Sequence, residues 1–523
     1  MKHAPVLHPF FFALYPVTSV LAASLTLINP IQAIRPTVIM LLVCVFFLLV
    51  FYMFYKDWRR AGFMASMVII MLFYYGYSYR LPREIQLFNV PVSRHILIIL
   101  FWIIFISILA SNWLWKRIRP HIITNFLNVS SGIAFVYAVY LLISVWLTIN
   151  KDPLAHWTRP PYLPRDSIQL NSFDRPDIYY IILDGYARQD VLREIYGYDN
   201  GEFINGLKSR GFYVAEKAHS NYDYTQLSLA SSLNFEYLDY LAFAEGVSSS
   251  WAPLGELILN NRASSLLEAI GYRTYLSSEY LFAEIKDPSV VFFASPKNRL
   301  NTFESLVLES TMFEILIDAH IVSISNYTYE THREKILNGF AETKYLVEQA
   351  GPKFVFVHII APHAPFVFDQ TGNAVQPDGA YTIFDGSKFA GGLTAYKVGY
   401  RDQLIYINKL VLETIDYILQ NSPSLPIIIL QADHGPAALL GETIETSCLS
   451  ERFSILNAFY FPNAKMHSLY SSITPVNTFR AIFDAYFGTK LGLLTDLSYF
   501  SSHEDPYRFK DVTPQVDTPC NPQ

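Results

Sequence analysis

The chain has 523 residues, 52% of them hydrophobic and 16% charged, with a formal net charge of −6. Soluble domains are about 25% charged, so this composition excludes a wholly soluble protein and suits part of the chain to lipid. The negative balance argues against a nucleic-acid partner.

The apolar excess lies in the first 150 residues, in five runs at 10–28, 36–55, 61–79, 95–115 and 128–149. Each is close to the roughly 20 residues that cross about 30 Å of hydrocarbon. Pro16 and several Ser and Thr residues interrupt the first run. A signal peptide is the alternative there, but four further runs follow and no small-residue cleavage pattern stands out. With the N-terminus cytoplasmic, Lys2, Lys56, Arg59, Arg60, Lys116, Arg117 and Arg119 fall inside, and Arg35, Arg80, Arg83 and Arg94 fall outside. That seven-to-four excess follows the positive-inside rule, and Tyr55, Trp58, Trp113 and Trp115 suit interfacial anchoring. Five spans then place everything after about residue 151 outside the cytoplasm, at a cell membrane.

Residues 151–176 are rich in Pro and charge and read as a linker. Strand-like and helix-like segments alternate over 177–515, which predicts an α/β domain with a mostly parallel sheet. Helices are expected over 203–210, 263–270 and 401–419, the last with Leu404, Ile407, Val411, Ile415 and Ile418 on one face. Strands are expected over 211–218 and 271–278, and a long loop over 369–393. Cys44 lies in a span, so only Cys448 and Cys520 can pair outside the membrane; a disulfide and free thiols are both open.

Three apolar runs carry the chemistry: 177–185 (DIYYIILDG), 353–366 (KFVFVHIIAPHAPF) and 426–435 (PIIILQADHG). Continuous apolar runs suit strands buried on both faces, and ligands gather outside the carboxyl ends of such strands. Asp184, His358, His363, Asp433 and His434 would therefore converge. Asp184 before a glycine is placed to ligate a divalent cation, or else to cap a helix over 188–196. Asp433 and His434 offer an oxygen and an imidazole ligand, with Gly435 allowing a sharp turn; a turn with a surface histidine is the plainer reading. His363, stiffened by Pro362 and Pro365, suits contact with a phosphate oxygen or protonation of a leaving group. His358 inside its strand reads first as a satisfied core residue. For a nucleophile, Thr225 lies near the start of a small-residue helix, where the dipole favours an anion, with Ser228, Ser231 and Ser232 as competitors and an N-cap role as the alternative.

The ordered set Asp184, Thr225, the PHAPF loop and the DHG turn, behind five spans, resembles the alkaline-phosphatase superfamily. It is similar to the sulfatase-like branch of lipoteichoic acid synthases and phosphoethanolamine transferases. The late segments 452–462 and 471–488 also look like that family's final strands and helix. The resemblance implies that Asp184, Thr225, Asp433 and His434 bind one divalent metal ion (Mn, Mg or Zn). It further implies that Thr225 forms a phosphothreonine and that His363 holds substrate or leaving group. A phosphoglycerol- or phosphoethanolamine-type head group would pass from a membrane lipid donor to an extracytoplasmic glycan or lipid acceptor. A hydrolase, or a non-catalytic binding member, is the alternative. Two departures stand out. Asp184 replaces the Glu usual in those two groups, and the segment 448–452 (CLSER) lacks the Pro of a sulfatase CxPxR motif and follows the DHG turn. His503 is a late candidate for a second metal.

Overall fold

The computed structural model describes the chain except residues 1–4, 26–29, 74, 76–83, 88–89, 112–114, 117–118, 151–174, 244–250, 279–290, 293–301, 314, 316–328, 376–384, 387–388, 390, 463–466 and 521–523. Lys2, Arg80, Arg83, Trp113, Arg117 and nearly all of the predicted linker lie outside the described residues. The chain divides into two compact units, Met1–Lys151 with Asn298–Asn326, and Asp152–Lys297 with Tyr327–Gln523.

In the first unit, helices His8–Ser24, Ile34–Tyr55, Trp58–Phe73, Arg94–Ala110 and Pro120–Asn150 overlap the five apolar runs, and strands β1 (Glu84–Leu87) and β2 (Val90–Ser93) pair as a hairpin. Among the described residues, two stretches, Pro30–Tyr55 and Pro120–Leu147, are long and apolar enough to cross a membrane; His95–Ala110 is apolar but shorter. The side chain of Asn128 accepts from the backbone N–H groups of Leu7 and His8 at 3.0 and 2.9 Å, which satisfies donors left free at the start of the first helix. Helix Thr302–Glu309 packs here too. Its Phe303 and Val307 join a core with Ala13, Met40, Cys44 and Ile69, and Glu304 takes a two-pronged ion pair from Arg35.

The second unit is built on seven strands: β3 (Ile178–Leu183), β4 (Tyr213–Val214), β5 (Arg273–Ser278), β6 (Val291–Phe292), β7 (Lys353–Ile359), β8 (Ile427–Gln431) and β9 (Asn457–Tyr460), in the order β4-β9-β8-β3-β7-β5-β6. The β8-β3-β7-β5-β6 portion is parallel, and β9 and β4 close one edge antiparallel. Every residue of β3, β7 and β8 is buried. At roughly 1.5–3 kcal/mol per buried Ile, Leu, Val or Phe, these runs are stable only inside the sheet. The three strands that the sequence singled out are thus the three central neighbours. A small antiparallel pair, β10 (Tyr499–Phe500) and β11 (Lys510–Asp511), follows.

Two elements differ from expectation. The strand over 211–218 shrinks to the two residues of β4 at the sheet edge. The helix over 401–419 runs longer, Gly392–Asn421, because Tyr396 and Tyr400 continue its buried face one turn at a time below Leu404. Cys448 and Cys520 form a disulfide.

Candidate active site

The site lies beyond the carboxyl ends of β8, β3 and β7, the position that open α/β sheets reserve for ligands. Asp184 follows β3 directly. Gly185 turns the chain at φ +71°, a conformation that suits glycine, and approaches the His363 side chain. Its N–H donates to Asp433 Oδ1 at 3.1 Å, which ties the first strand end to the DHG turn after β8. The helix after Asp184 is Gln189–Tyr196 with Arg188 at its N-cap, so Asp184 does not cap it.

Each buried carboxylate uses one oxygen on the protein and leaves the other bare. Asp184 Oδ2 accepts from His358 Nε2 at 3.1 Å, and Asp433 Oδ1 accepts from Gly185. Asp184 Oδ1 and Asp433 Oδ2 have no hydrogen-bond partner among the described residues. His434 Nε2 lies 3.7 Å from the first and 3.3 Å from the second. One ligating atom from each of Asp184, Asp433 and His434 lies within 4.8 Å of the others. Two bare, desolvated carboxylate oxygens facing one imidazole nitrogen are costly without a cation, and this oxygen-and-nitrogen donor set fits a divalent metal ion.

Protonation follows from the surroundings. Burial pushes the Asp184 carboxyl up, but His363, the hydrogen bond from His358 and His434 outweigh it and hold it below the usual carboxylate range. Burial and then Arg452 depress the His434 imidazole, against the pull of Asp433 and Asp184. Its Nδ1 faces the Gly435 carbonyl at 2.9 Å; a carbonyl only accepts, so Nδ1 carries the hydrogen and Nε2 presents a lone pair. Thr225 Oγ1 lies 3.0 Å from that Nε2. Thr225 is the first residue of helix Thr225–Asn234, with Tyr224 at the N-cap, so its hydroxyl is directed at the site and caps nothing. The competing serines are engaged elsewhere. Ser228 donates to the Asp433 carbonyl at 2.7 Å, Ser231 to Glu236 at 2.7 Å, and Ser232 accepts from Tyr180 at 3.0 Å.

The PHAPF loop hangs from helix Gly392–Asn421. Gln403 donates to the carbonyls of Pro362 and His363 and accepts from Val367 N–H. His363 N–H donates to the Asp184 carbonyl at 3.1 Å, and its Nδ1 donates to Ala364 at 2.6 Å. His363 Nε2 lies 3.2 Å from Asp385 Oδ2. Burial alone would lower the His363 pKa, but Asp385 and Asp184 raise it. The His358 side chain is wholly buried, and its Nε2 is in polar contact with Asp184 Oδ2 at the strand end. His503 is not part of the metal group among the described residues; its ring stacks on Trp251 at 5.2 Å between centroids.

Two site residues had no sequence reading of this kind. Asp385 sits in the segment expected to be loop. Arg452 belongs to the CLSER segment, and its Nε and Nη1 donate to the carbonyls of Asp223 and Gly435 at 2.7 and 2.9 Å. Gly435 N–H returns a bond to the Arg452 carbonyl at 2.7 Å.

No family model and no curated protein match the sequence. Solved structures do. The C-terminal periplasmic domain of EcEptC from Escherichia coli, in complex with Zn, is 12% identical and aligns over 69% of this chain and 99% of its own, with a TM-score of 0.42. The soluble domain of lipooligosaccharide phosphoethanolamine transferase A from Neisseria meningitidis is 11% identical over 63% of this chain and 94% of its own, TM-score 0.37. BT1596, a 2-O GAG sulfatase, is 12% identical over 63% and 78%, TM-score 0.37. The chain is thus similar in structure to phosphoethanolamine transferase domains and to a sulfatase. At such low identities and TM-scores, the chemistry rests on the site's own geometry.

Proposed function

We propose that the chain is a membrane-anchored, metal-dependent enzyme of the sulfatase-like type. It moves a phosphoglycerol- or phosphoethanolamine-type head group from a lipid donor to an extracytoplasmic glycan or lipid by way of Thr225. The observation that carries this reading is the Thr225 hydroxyl, 3.0 Å from His434 Nε2 and in one site with the bare oxygens of Asp184 and Asp433. Asp184, Asp433, His434 and Thr225 would hold one divalent cation, which when bound supplies the positive charge that lowers the hydroxyl pKa and stabilises the phosphoryl oxygens.

The chain's own residues aim and complete the transfer. The start of helix Thr225–Asn234 favours an anion at Thr225 through its unpaired N–H groups and dipole. Thr225 Oγ, releasing its proton to solvent, forms a bond to phosphorus as the bond to the lipid alcohol breaks. His363, whose pKa Asp385 and Asp184 raise, gives that leaving oxygen a proton. The acceptor oxygen then bonds to phosphorus as the bond to Thr225 Oγ breaks; the acceptor's proton returns to His363, and Thr225 Oγ takes a proton back from solvent. Two stretches long and apolar enough to cross a membrane, within the five apolar runs of the sequence, support a location at a lipid surface, and a disulfide between Cys448 and Cys520 fits an oxidising compartment outside the cytoplasm.

The test incubates the purified full chain with head-group-labelled phosphatidylglycerol and phosphatidylethanolamine, with and without EDTA. Label should appear on Thr225 and vanish with EDTA and in Thr225→Ala. An active Thr225→Ala protein, or turnover indifferent to EDTA, would refute the mechanism. Release of label only to water would favour the hydrolase.

A further inference from the structure

In sequence, Asn298–Asn326 falls between β6 and helix Tyr329–Val347 of the second unit, yet it belongs to the compact unit of the apolar helices. The chain therefore passes between the units three times, after residues 151, 297 and 326. Helix Thr302–Glu309 is the regular element of this insert. Phe303, Leu306 and Val307 stand at i, i+3 and i+4 on one helical face, and all three pack into a cluster with Ala33, Met40, Ile69 and Phe73. Phe303 is fully buried there, and among the described residues it joins no core of the second unit.

Two polar ties hold the insert in place. The buried Glu304 carboxylate takes both prongs of the Arg35 guanidinium. Met312 N–H donates to the Leu72 carbonyl at 2.9 Å, which satisfies one of the carbonyls that helix Trp58–Phe73 leaves free at its end. These partners share one level of the bundle. Ala33, Arg35 and Met40 lie at the start of helix Ile34–Tyr55, and Ile69, Leu72 and Phe73 lie at the close of helix Trp58–Phe73. With the N-terminus cytoplasmic, as the positive-inside count has it, both are extracytoplasmic ends. An insert drawn from beyond residue 151 arrives from that same side, so the charge count and the packing agree.

We propose that helix Thr302–Glu309 is a docking insert, a positioning element seated in the extracytoplasmic end of the apolar bundle, and that turnover of a bilayer-borne donor depends on its Arg35–Glu304 tie. The donor dependence rests on the lipid-donor reading above; the docking does not. A seated insert raises the effective concentration of a donor held in the bilayer, whereas a dissolved one gains nothing from it. Breaking the tie from one side leaves a buried carboxylate without its cation, and exchanging the two charges restores the pair.

The experiment places the full chain in vesicles of head-group-labelled phosphatidylethanolamine and phosphatidylglycerol, and in parallel supplies the water-soluble diester bis(p-nitrophenyl) phosphate. Arg35→Glu and Glu304→Arg should each lower turnover of the lipid at least tenfold and leave that of the soluble diester within about twofold. The double exchange should recover most of the lipid activity. A readout without turnover pairs Leu72→Cys with Met312→Cys in a Cys44→Ser background: mild oxidation in the membrane should cross-link the pair, and neither single cysteine should give that product. Equal loss on both substrates, no recovery in the double exchange, or no cross-link in the folded protein would overturn the proposal. A cross-linked protein that turns over neither substrate as wild type would instead sink the transfer reading, and the donor dependence with it, and leave the docking insert standing.

Discussion

Replacing His358 by leucine probes how the Asp184 carboxylate, proposed to hold the metal, is aimed. The two side chains are completely buried, and His358 Nε2 donates to Asp184 Oδ2 at 3.1 Å. Leucine fills a similar volume, so the change removes the donor without opening a large cavity. A hydrogen bond to a charged group contributes about 1.5–3 kcal/mol. Loss of an outer partner of a metal ligand typically weakens metal binding about 10–100-fold, or roughly 1.4–2.7 kcal/mol. The two ranges agree, which is expected if the bond's function is to hold Oδ1 toward the cation. Metal-free stability should also fall, and in a pH-dependent way. His363, His358 and His434 together hold the Asp184 carboxyl below its ordinary value of 3.8 despite burial, so that stabilisation is present above the ordinary value and is lost as pH falls through the lower, folded one. His358→Leu should therefore be less stable than wild type at pH 7 and approach it in strong acid. Calorimetric titration with zinc or manganese, and the rise in unfolding midpoint on adding metal, measure both effects. His358→Gln, which restores an amide donor, should recover most of the affinity. If His358→Leu binds metal within about twofold of wild type, or the glutamine variant does no better, Asp184 is oriented by something else and the argument fails.

Two further tests address the ground around the site. Burial pushes the Glu451 and Asp223 carboxyls up to about 7 from ordinary values of 4.5 and 3.8, so the folded chain holds their protons more tightly than the unfolded one. Their contribution is complete below the ordinary values and is lost as pH rises through about 7; for Glu451 the shift is worth on the order of 3 kcal/mol. The unfolding midpoint of the metal-free protein should decline over that window and recover part of the loss in Glu451→Gln; a flat profile would contradict the assignment. Gly435→Ala should cost about 1–3 kcal/mol from overpacking against the carbonyls of Glu451 and Arg452. Thermal unfolding reads the effect, and a wild-type midpoint would show that the turn tolerates a side chain.

The centre of the sheet was legible because its strands are apolar on both faces. An unbroken run such as that of Ile178–Leu183 can be satisfied only between neighbours, and the first polar residue after it must stand at the strand's end. Asp184, Asp433 and His434 therefore announced themselves, and Thr225 followed from a polar segment opening a helix. Asp385 did not, because its segment has no period, and it meets His363 only where Gly386, at φ +61°, seats that segment against the carbonyls of Ala437 and Leu440. Arg452 was hidden for a more general reason. Its partners are main-chain carbonyls 229 and 17 positions away, and a carbonyl has no residue type. As a motif, CLSER lacks the Pro of CxPxR and follows the DHG turn, so nothing in it pointed to Arg452. In the folded chain the same guanidinium ties the segment before Thr225 to the DHG turn, and its charge is felt by the buried Asp223 and Glu451 carboxyls.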